Sequence, residues 1–274
     1  MAIVEIRNLT YKYPGSMKPA LYNINLSINK GEFFLITGPS GCGKTTLCRC
    51  LNGLIPNSYG GDFSGEVIVD GLSTKNYPVH TIAQHVGLIF QDPENELFCT
   101  SVEKEIAFGL ENLGLPREEI KKRVEESLAM MRISHLRDRA PYELSGGEQQ
   151  KVAIAAILAM KPKILVLDEP TANLDPISSK SVLDLLFKLK EEIDITIILI
   201  EHRLEIIAKL VDRCAILNNG SILLIGKPEE VLYSDEAEAI GIGIPKVIRL
   251  AKSLGIKERP LTSKALAKAI MVRK

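Results

Sequence analysis

The sequence predicts an α/β protein built around a phosphate-binding loop, and three observations lead there. Gly38-Pro-Ser-Gly-Cys-Gly-Lys-Thr45 matches G-x-x-x-x-G-K-[ST] in full. It is preceded by a short apolar run of strand type, Glu32 to Thr37, and followed by Thr46 to Leu51, which continues as a helix. Further on, Ile164-Leu-Val-Leu-Asp168 is an almost wholly apolar run, the pattern of a strand buried on both faces of a parallel sheet. Chance alone produces the loop pattern in roughly one chain of this length in a hundred, given average glycine usage. The strand before it and the helix after it make coincidence a poor explanation. A polyphosphate needs close approach of backbone N–H groups, which side chains at Gly41 or Gly43 would obstruct, and a helix N-terminus behind them. Lys44 is then placed to reach the outer phosphates and Thr45 to ligate Mg2+.

The 274 residues are 46% hydrophobic, enough for one large domain or one domain with an appendage. Thirty-four basic and 34 acidic residues cancel, and no long run of either sign occurs, which disfavours a charge-driven nucleic-acid binder. Five cysteines (Cys42, Cys48, Cys50, Cys99, Cys214) have no paired C-x-x-C spacing and read as reduced cytosolic thiols. Four scattered histidines suggest no metal cluster. No basic n-region with an apolar core opens the chain, and no apolar run approaches the ~18–20 residues needed to span a bilayer. The expectation is a chain soluble by itself.

In chain order, Val4, Ile6 and Leu9 mark a half-buried strand that slips near its end, and Tyr11 to Gly15 a turn. Leu21 to Ile28 puts Ile24, Leu26 and Ile28 on one face; Asn29-Lys30-Gly31 turns into the strand before the loop. Gly53 to Gly65 is expected to be irregular. Glu66 to Asp70 reads as a strand closed by Asp70-Gly71, and Val86 to Phe90 as another that stops at Gln91-Asp-Pro93. From Ser101 to Lys161 the period becomes helical, with Val102, Ile106, Leu110 and Leu113 on one stripe and a second helix over 116–131. The α/β pattern returns with helix 177–192, strand 195–200, helix 203–211 and strands near 213–218 and 221–226. Pro228 starts a short helix. Amphipathic helices over 245–254 and 262–271 form an appendage at 235–274, distinct from a main domain at 1–234 with a helical subdomain at about 92–161.

A phosphate loop alone leaves kinases, GTPases and many ATPases open, so its companions decide. Asp168 ends a buried strand, where a carboxylate holds Mg2+ in phosphate-loop enzymes, and the adjacent Glu169 can accept a proton from an attacking water. Leu144-Ser-Gly-Gly-Glu148 opens the helix to about Met160. Ser145 and Glu148 have capping-box spacing. A cap does not require two consecutive glycines, and Gly146 and Gly147 sit where a first turn exposes unpaired N–H groups, a second anion site.

Gly38 to Thr45, Gln91, Leu144 to Glu148, Ile164 to Glu169, Asn173-Leu-Asp175 and His202, in this order, resemble the nucleotide-binding subunit of an ATP-binding cassette (ABC) transporter over about residues 3–230. The resemblance implies a P-loop ABC ATPase fold with an antiparallel β subdomain and a helical subdomain. It implies ATP and Mg2+ as ligands, with Gly38, Pro39, Ser40, Gly41, Cys42, Gly43, Lys44, Thr45 and Thr46 around the phosphates and Thr45, Gln91 and Asp168 near the metal. Catalytic roles fall on Glu169, His202, Gln91 and Lys44. Tyr13 resembles the aromatic that stacks on adenine, with Tyr11 as the alternative. The resemblance further implies a head-to-tail dimer in which Ser145, Gly146 and Gly147 contact nucleotide in the second subunit's site and Asp175 lies at the interface. Gln91-Asp-Pro-Glu-Asn-Glu-Leu-Phe98, Ser101 to Gly109 and Ile200 to Glu205 are similar to the ATPases of energy-coupling factor (ECF) importers of vitamins and transition-metal ions. Two departures are Cys99-Thr100, where a Ser-Pro-type pair is expected, and Lys151 in place of Arg. The expected partners are a second ATPase subunit, identical or paralogous, and integral membrane subunits docked near Gln91 and the 101–113 helix. The expected place is the cytoplasmic face of the membrane. Another ABC importer class, a soluble cassette ATPase and a non-catalytic clamp are the rival readings.

Overall fold

A computed structural model describes residues 1–272, so the last two residues of the 235–274 segment lie outside the described residues. Strands β1 (Ala2–Lys12) and β2 (Leu21–Asn29) pair antiparallel; β3 (Phe33–Thr37) leaves them, and the glycine-rich loop leads into α1 (Lys44–Leu51) and α2 (Leu54–Asn57). β4 (Asp62–Val69) and β5 (Leu72–Ser73) complete a four-stranded sheet in the order β2-β1-β4-β5. Then come α3 (Val79–Ile82), β6 (Val86–Ile89), and three long helices α4 (Val102–Asn112), α5 (Arg117–Met130) and α6 (Gly146–Ala159). β7 (Ile164–Asp168), α7 (Pro176–Glu192), β8 (Thr196–Ile200), α8 (Leu204–Ile207), β9 (Arg213–Asn218) and β10 (Ser221–Gly226) finish a six-stranded sheet, order β10-β9-β3-β8-β7-β6. Only the β9–β10 pair is antiparallel in it. Four short helices close the chain: α9 (Pro228–Val231), α10 (Asp235–Ala239), α11 (Lys246–Ser253) and α12 (Ser263–Val272).

β3, β6, β7 and β8 are buried at every residue. Alternate side chains of such a strand feed opposite faces. Phe33, Leu35, Leu165, Leu167, Ile197 and Leu199 join the core under α4 to α7, while Phe34, Ile36, Val166, Ile198 and Ile200 join the one shared with α1 and the antiparallel sheet. Each such side chain contributes about 1.5–3 kcal/mol of burial. This clamps the sheet between two layers.

The predicted slip in β1 is present: its register with β2 shifts between Ile6 and Leu9, and Asn8 takes a left-handed φ of 49°. β4 starts four residues earlier than the composition suggests, at Asp62 instead of Glu66, because Asp62 and Phe63 pair with Lys12 and Tyr11. That ladder overrides the Gly-rich composition. α8 is confined to Leu204–Ile207 where a helix to 211 is expected. Ala237, Ile242, Ile244, Val247, Ile248 and Ala251 are buried in the same core as α4 to α7, so the C-terminal segment shares the main domain's interior.

Candidate active site

The parallel register explains why distant residues converge. Asp168 lies opposite Ile200, Leu167 opposite both Leu199 and Ile89, and Ile36 opposite Ile200. The strands therefore end level. Gly38 follows β3 directly, Glu169 follows β7, and Gln91 and His202 come two residues after the last residues of β6 and β8. All lie beyond the carboxyl edge of the sheet, where open α/β sheets bind ligands.

A cleft of about 500 Å³ opens there, lined by Tyr13, Ala20, Ser40, Gly41, Gly43 to Thr46, Gln91 and Glu169. α1 enters it with no side-chain cap and no acidic residue in its first turn, which leaves N–H groups and the positive end of the helix facing the cleft. Gly41, at φ 76°, has nothing within 4 Å of where a Cβ would lie, whereas a Cβ on Gly43 would sit 2.6 Å from the carbonyl oxygen of Ala20. A side chain at Gly41 would thus meet no described atom, and its left-handed φ is what favours glycine there. Gly43 is required by contact with the chain's own backbone, which the pattern does not reveal. Cys42 is 5% exposed with its thiol raised by burial, so this loop residue turns its side chain into the core. Neither it nor Pro39 lines the cleft; the carbonyl of Pro39 accepts from Lys44 at 3.0 Å.

The Lys44 ammonium is buried, donates to the carbonyls of Gly38 and Pro39, and lies 3.9 Å from Oε1 of Glu169. That oxygen is 2.9 Å from Nε2 of His202. Glu169 holds this position at a left-handed φ of 51°, uncommon for a residue with a Cβ. Asp168 differs: it is buried, its Oδ1 has no hydrogen-bond partner among the described residues, and burial raises its pKa against the opposing hydrogen bond from Thr45. A buried orphaned carboxylate oxygen beside a threonine hydroxyl, with the Gln91 amide lining the same cleft, is an oxygen donor set that suits Mg2+ carrying some of its own waters. The residues fit the ion.

Tyr11 is fully buried and donates to the carbonyl of Gly60, which removes it as the base-stacking candidate. Tyr13 lines the cleft; its hydroxyl is 3.2 Å from that of Thr46 and accepts from Arg49 at 3.1 Å. The second anion motif lies elsewhere. Ser145 donates to Glu148 through both its backbone N–H and its hydroxyl, the largest cause of the lowered Glu148 pKa being the hydroxyl, and Ser145 and Gly146 are exposed. Asp175 caps α7 by accepting from the N–H groups of Ile177 and Ser178. None of Ser145, Gly146, Gly147 or Asp175 lines the cleft. Within one chain the two anion motifs are separate.

The structure adds residues that spacing alone does not single out. Buried Glu201 bonds the hydroxyl of Thr171 and accepts from the N–H groups of His202 and Arg203. Arg203 donates to the carbonyls of Ala172 and Leu174 and to the hydroxyl of Ser179, fixing the segment before α7. Asn173 donates to Asp92 at 2.6 Å, tying that segment to the loop after Gln91. Asn173, Glu201 and Arg203 all lie within segments that carry the resemblance, yet their bonding partners are not legible from those segments.

Residues 21–172 match the family model described as ABC transporter. The chain belongs to the ABC transporter ATPase family. A protein of Pyrococcus abyssi, provisionally named an ABC transporter ATP-binding protein, is 45% identical over 267 residues, covering 97% of this ATPase and 95% of the relative. A Methanosarcina mazei relative of the same provisional name is 47% identical over 260 residues, and there this ATPase spans only 44% of the relative's length. Among solved structures, cbiO1 from Clostridium perfringens, described as part of the ABC transporter complex cbiONQ, is 35% identical with a TM-score of 0.78, covering 92% of this chain and 99% of that one. The dimeric post-hydrolysis state of the ATP-binding cassette MJ0796, bound to ADP and Pi, is 30% identical with a TM-score of 0.71, covering 82% and 98%. The fold of this chain is thus that of an ABC ATPase. Among the described residues no helix is long and apolar enough to cross a membrane.

Proposed function

We propose that this ATPase hydrolyses MgATP between two subunits and passes the closing motion to membrane subunits of an ECF-type importer of vitamins or transition-metal ions. The carrying observation is the placement of the Glu169 carboxylate at the mouth of the phosphate cleft, 2.9 Å from His202 and 3.9 Å from Lys44. Lys44 and the N-terminus of α1 hold the β- and γ-phosphates, and Tyr13 stacks on the base. Glu169 takes the proton of the attacking water, with His202 and Gln91 orienting the γ-phosphoryl side of the site. Asp168, Thr45 and Gln91 would hold Mg2+, which when bound supplies charge neutralisation to the transferring phosphoryl group. Ser145, Gly146 and Gly147 complete the site of a second subunit, with Asp175 at the boundary. The exposure of Ser145 and Gly146, and the absence of all three from this chain's own cleft, support that division.

The membrane partner docks beside the loop after β6. Val102, Ile106 and Leu110 are core residues, so the docking surface is carried by Phe98 and Phe108, which are exposed and stack edge-on 4.9 Å apart. The working position is peripheral, on the cytoplasmic face, and nucleic acid is not a partner. The ECF assignment rests on the 91–98, 101–109 and 200–205 segments and on the likeness to cbiO1. An ABC importer of another class shares all the chemistry and differs only in partners. We assign residues 235–274 to a C-terminal extension whose exposed Leu250 and Ile270 pair the subunits between cycles.

Glu169→Gln tests the chemistry. Turnover should fall about 10²–10⁴-fold, the range for loss of a general base, with ATP binding retained. Turnover within about threefold of wild type would move the base elsewhere.

A further inference from the structure

Away from the phosphate cleft, a second concavity of about 570 Å³ lies between the end of α5, the middle of α6 and the outer face of α7. Its apolar floor includes Met131 and Leu185, both buried. Its walls carry Arg132, Lys151, Lys180 and Lys188, with Asp184 as the one carboxylate. Four cations less one anion leave a local excess of three positive charges in a chain whose formal net charge is zero.

Some basic residues elsewhere on α5 and α7 are paired: Arg123 with Glu119 at 2.7 Å on α5, and Lys190 of α7 with Asp212 at 3.3 Å. Among the described residues, none of the four cations at the concavity has a carboxylate within ion-pair distance. Asp184 stands four residues from both Lys180 and Lys188, the spacing at which opposite charges on a helix ordinarily pair. It pairs with neither. Like charges gathered on three elements around a pocket repel one another unless an anion sits between them.

We propose that this concavity is a binding site for a small solute bearing two or more phosphate groups, distinct from the nucleotide site. Lys151 on α6 and Lys180 and Lys188 on α7 contact the phosphates, and Arg132 closes the α5 side with a guanidinium suited to phosphate oxygens. The concavity and its apolar floor suit a compact solute, and the vesicle arm of the test separates that from a membrane surface. A solute held there bridges α6, which carries Ser145 to Gly147, to α7, which Asp175 caps.

The test is equilibrium dialysis of labelled tripolyphosphate against the full chain carrying Lys44→Ala, without Mg2+, so that the first cleft is disabled. One tripolyphosphate should bind per chain, more weakly as salt rises. Adding Lys180→Glu and Lys188→Glu, both exposed, should lower affinity about tenfold or more, and Asp184→Asn should raise it. Melting temperatures serve as the folding control. If the charge-reversed chain melts early, Lys151→Gln alone should still weaken binding severalfold. Affinity indifferent to all these substitutions overturns the site. So does binding to phosphatidylserine vesicles without binding of tripolyphosphate, which would make the patch a membrane contact.

Discussion

Asp168 and Glu169 are adjacent yet live under different physics. Asp168 is buried with an orphaned oxygen, and burial is the largest influence on its carboxyl, raising the pKa above the ordinary 3.8. A raised carboxyl pKa means the folded chain holds the proton more tightly than the unfolded chain. This residue's favourable contribution is therefore present below about pH 3.8 and lost as pH rises through the raised value. Asp168→Asn should accordingly stabilise the nucleotide-free protein at neutral pH. Relieving a buried unpaired group is worth about 1–3 kcal/mol, and each kcal/mol shifts Tm by about 2–4 °C in a chain of this size. Differential scanning calorimetry should find the variant melting higher, while Mg2+-dependent ATP binding is lost. A lower Tm would mean that Asp168 is a structural acceptor. Motif order located both carboxylates in advance because the chemistry demands those residue types at a strand end. It favours Tyr13 without excluding Tyr11, and burial decides between two aromatics two residues apart.

Among elements, the loop from Gln91 to Thr100 is where local chemistry departs most from its sequence pattern. Glu96 accepts from the N–H of Phe90 at 2.6 Å, and burial pushes its carboxyl up to about 7 despite that bond. The sign follows as before: its favourable contribution is present below its ordinary 4.5 and lost as pH rises through about 7. Hydrogen exchange in residues 90–99, corrected for intrinsic rates, should therefore show protection decreasing from pH 5.5 to 7.5, and Glu96→Gln should remove that trend. Protection that does not change with pH in wild type would place the titration elsewhere. Apolar runs and helical periodicity made the strands of the central sheet and α4 to α7 legible. β4 was not, because its first four residues are strand only through pairing with β1. The shortness of α8 and the contacts of Arg203 were equally invisible, being set by partners far along the chain.

At the scale of the whole molecule, the C-terminal helices have two faces with different fates. Val247, Ile248 and Ala251 are buried against the main domain, whereas Leu250 and Ile270 are 49% and 38% exposed. Truncation after Tyr233 should thus lower Tm by about 10 °C or more through lost burial, whatever the segment does between subunits. Leu250→Glu with Ile270→Glu should leave Tm nearly unchanged and weaken nucleotide-free association seen by light scattering. Unchanged association would remove the pairing role. The amphipathic periodicity announced these helices, but which face meets the chain's own core depends on packing. The two anion motifs pose the same question for the site: Lys44 and Glu169 share one cleft, and Ser145 to Gly147 stand outside it. Sedimentation velocity with saturating MgATP answers it most directly. Glu169→Gln should sediment as a dimer, and Glu169→Gln with Ser145→Arg as a monomer that still binds ATP. A Glu169→Gln protein that stays monomeric, or a double variant that dimerises as well as the single one, would contradict a site completed by a second subunit.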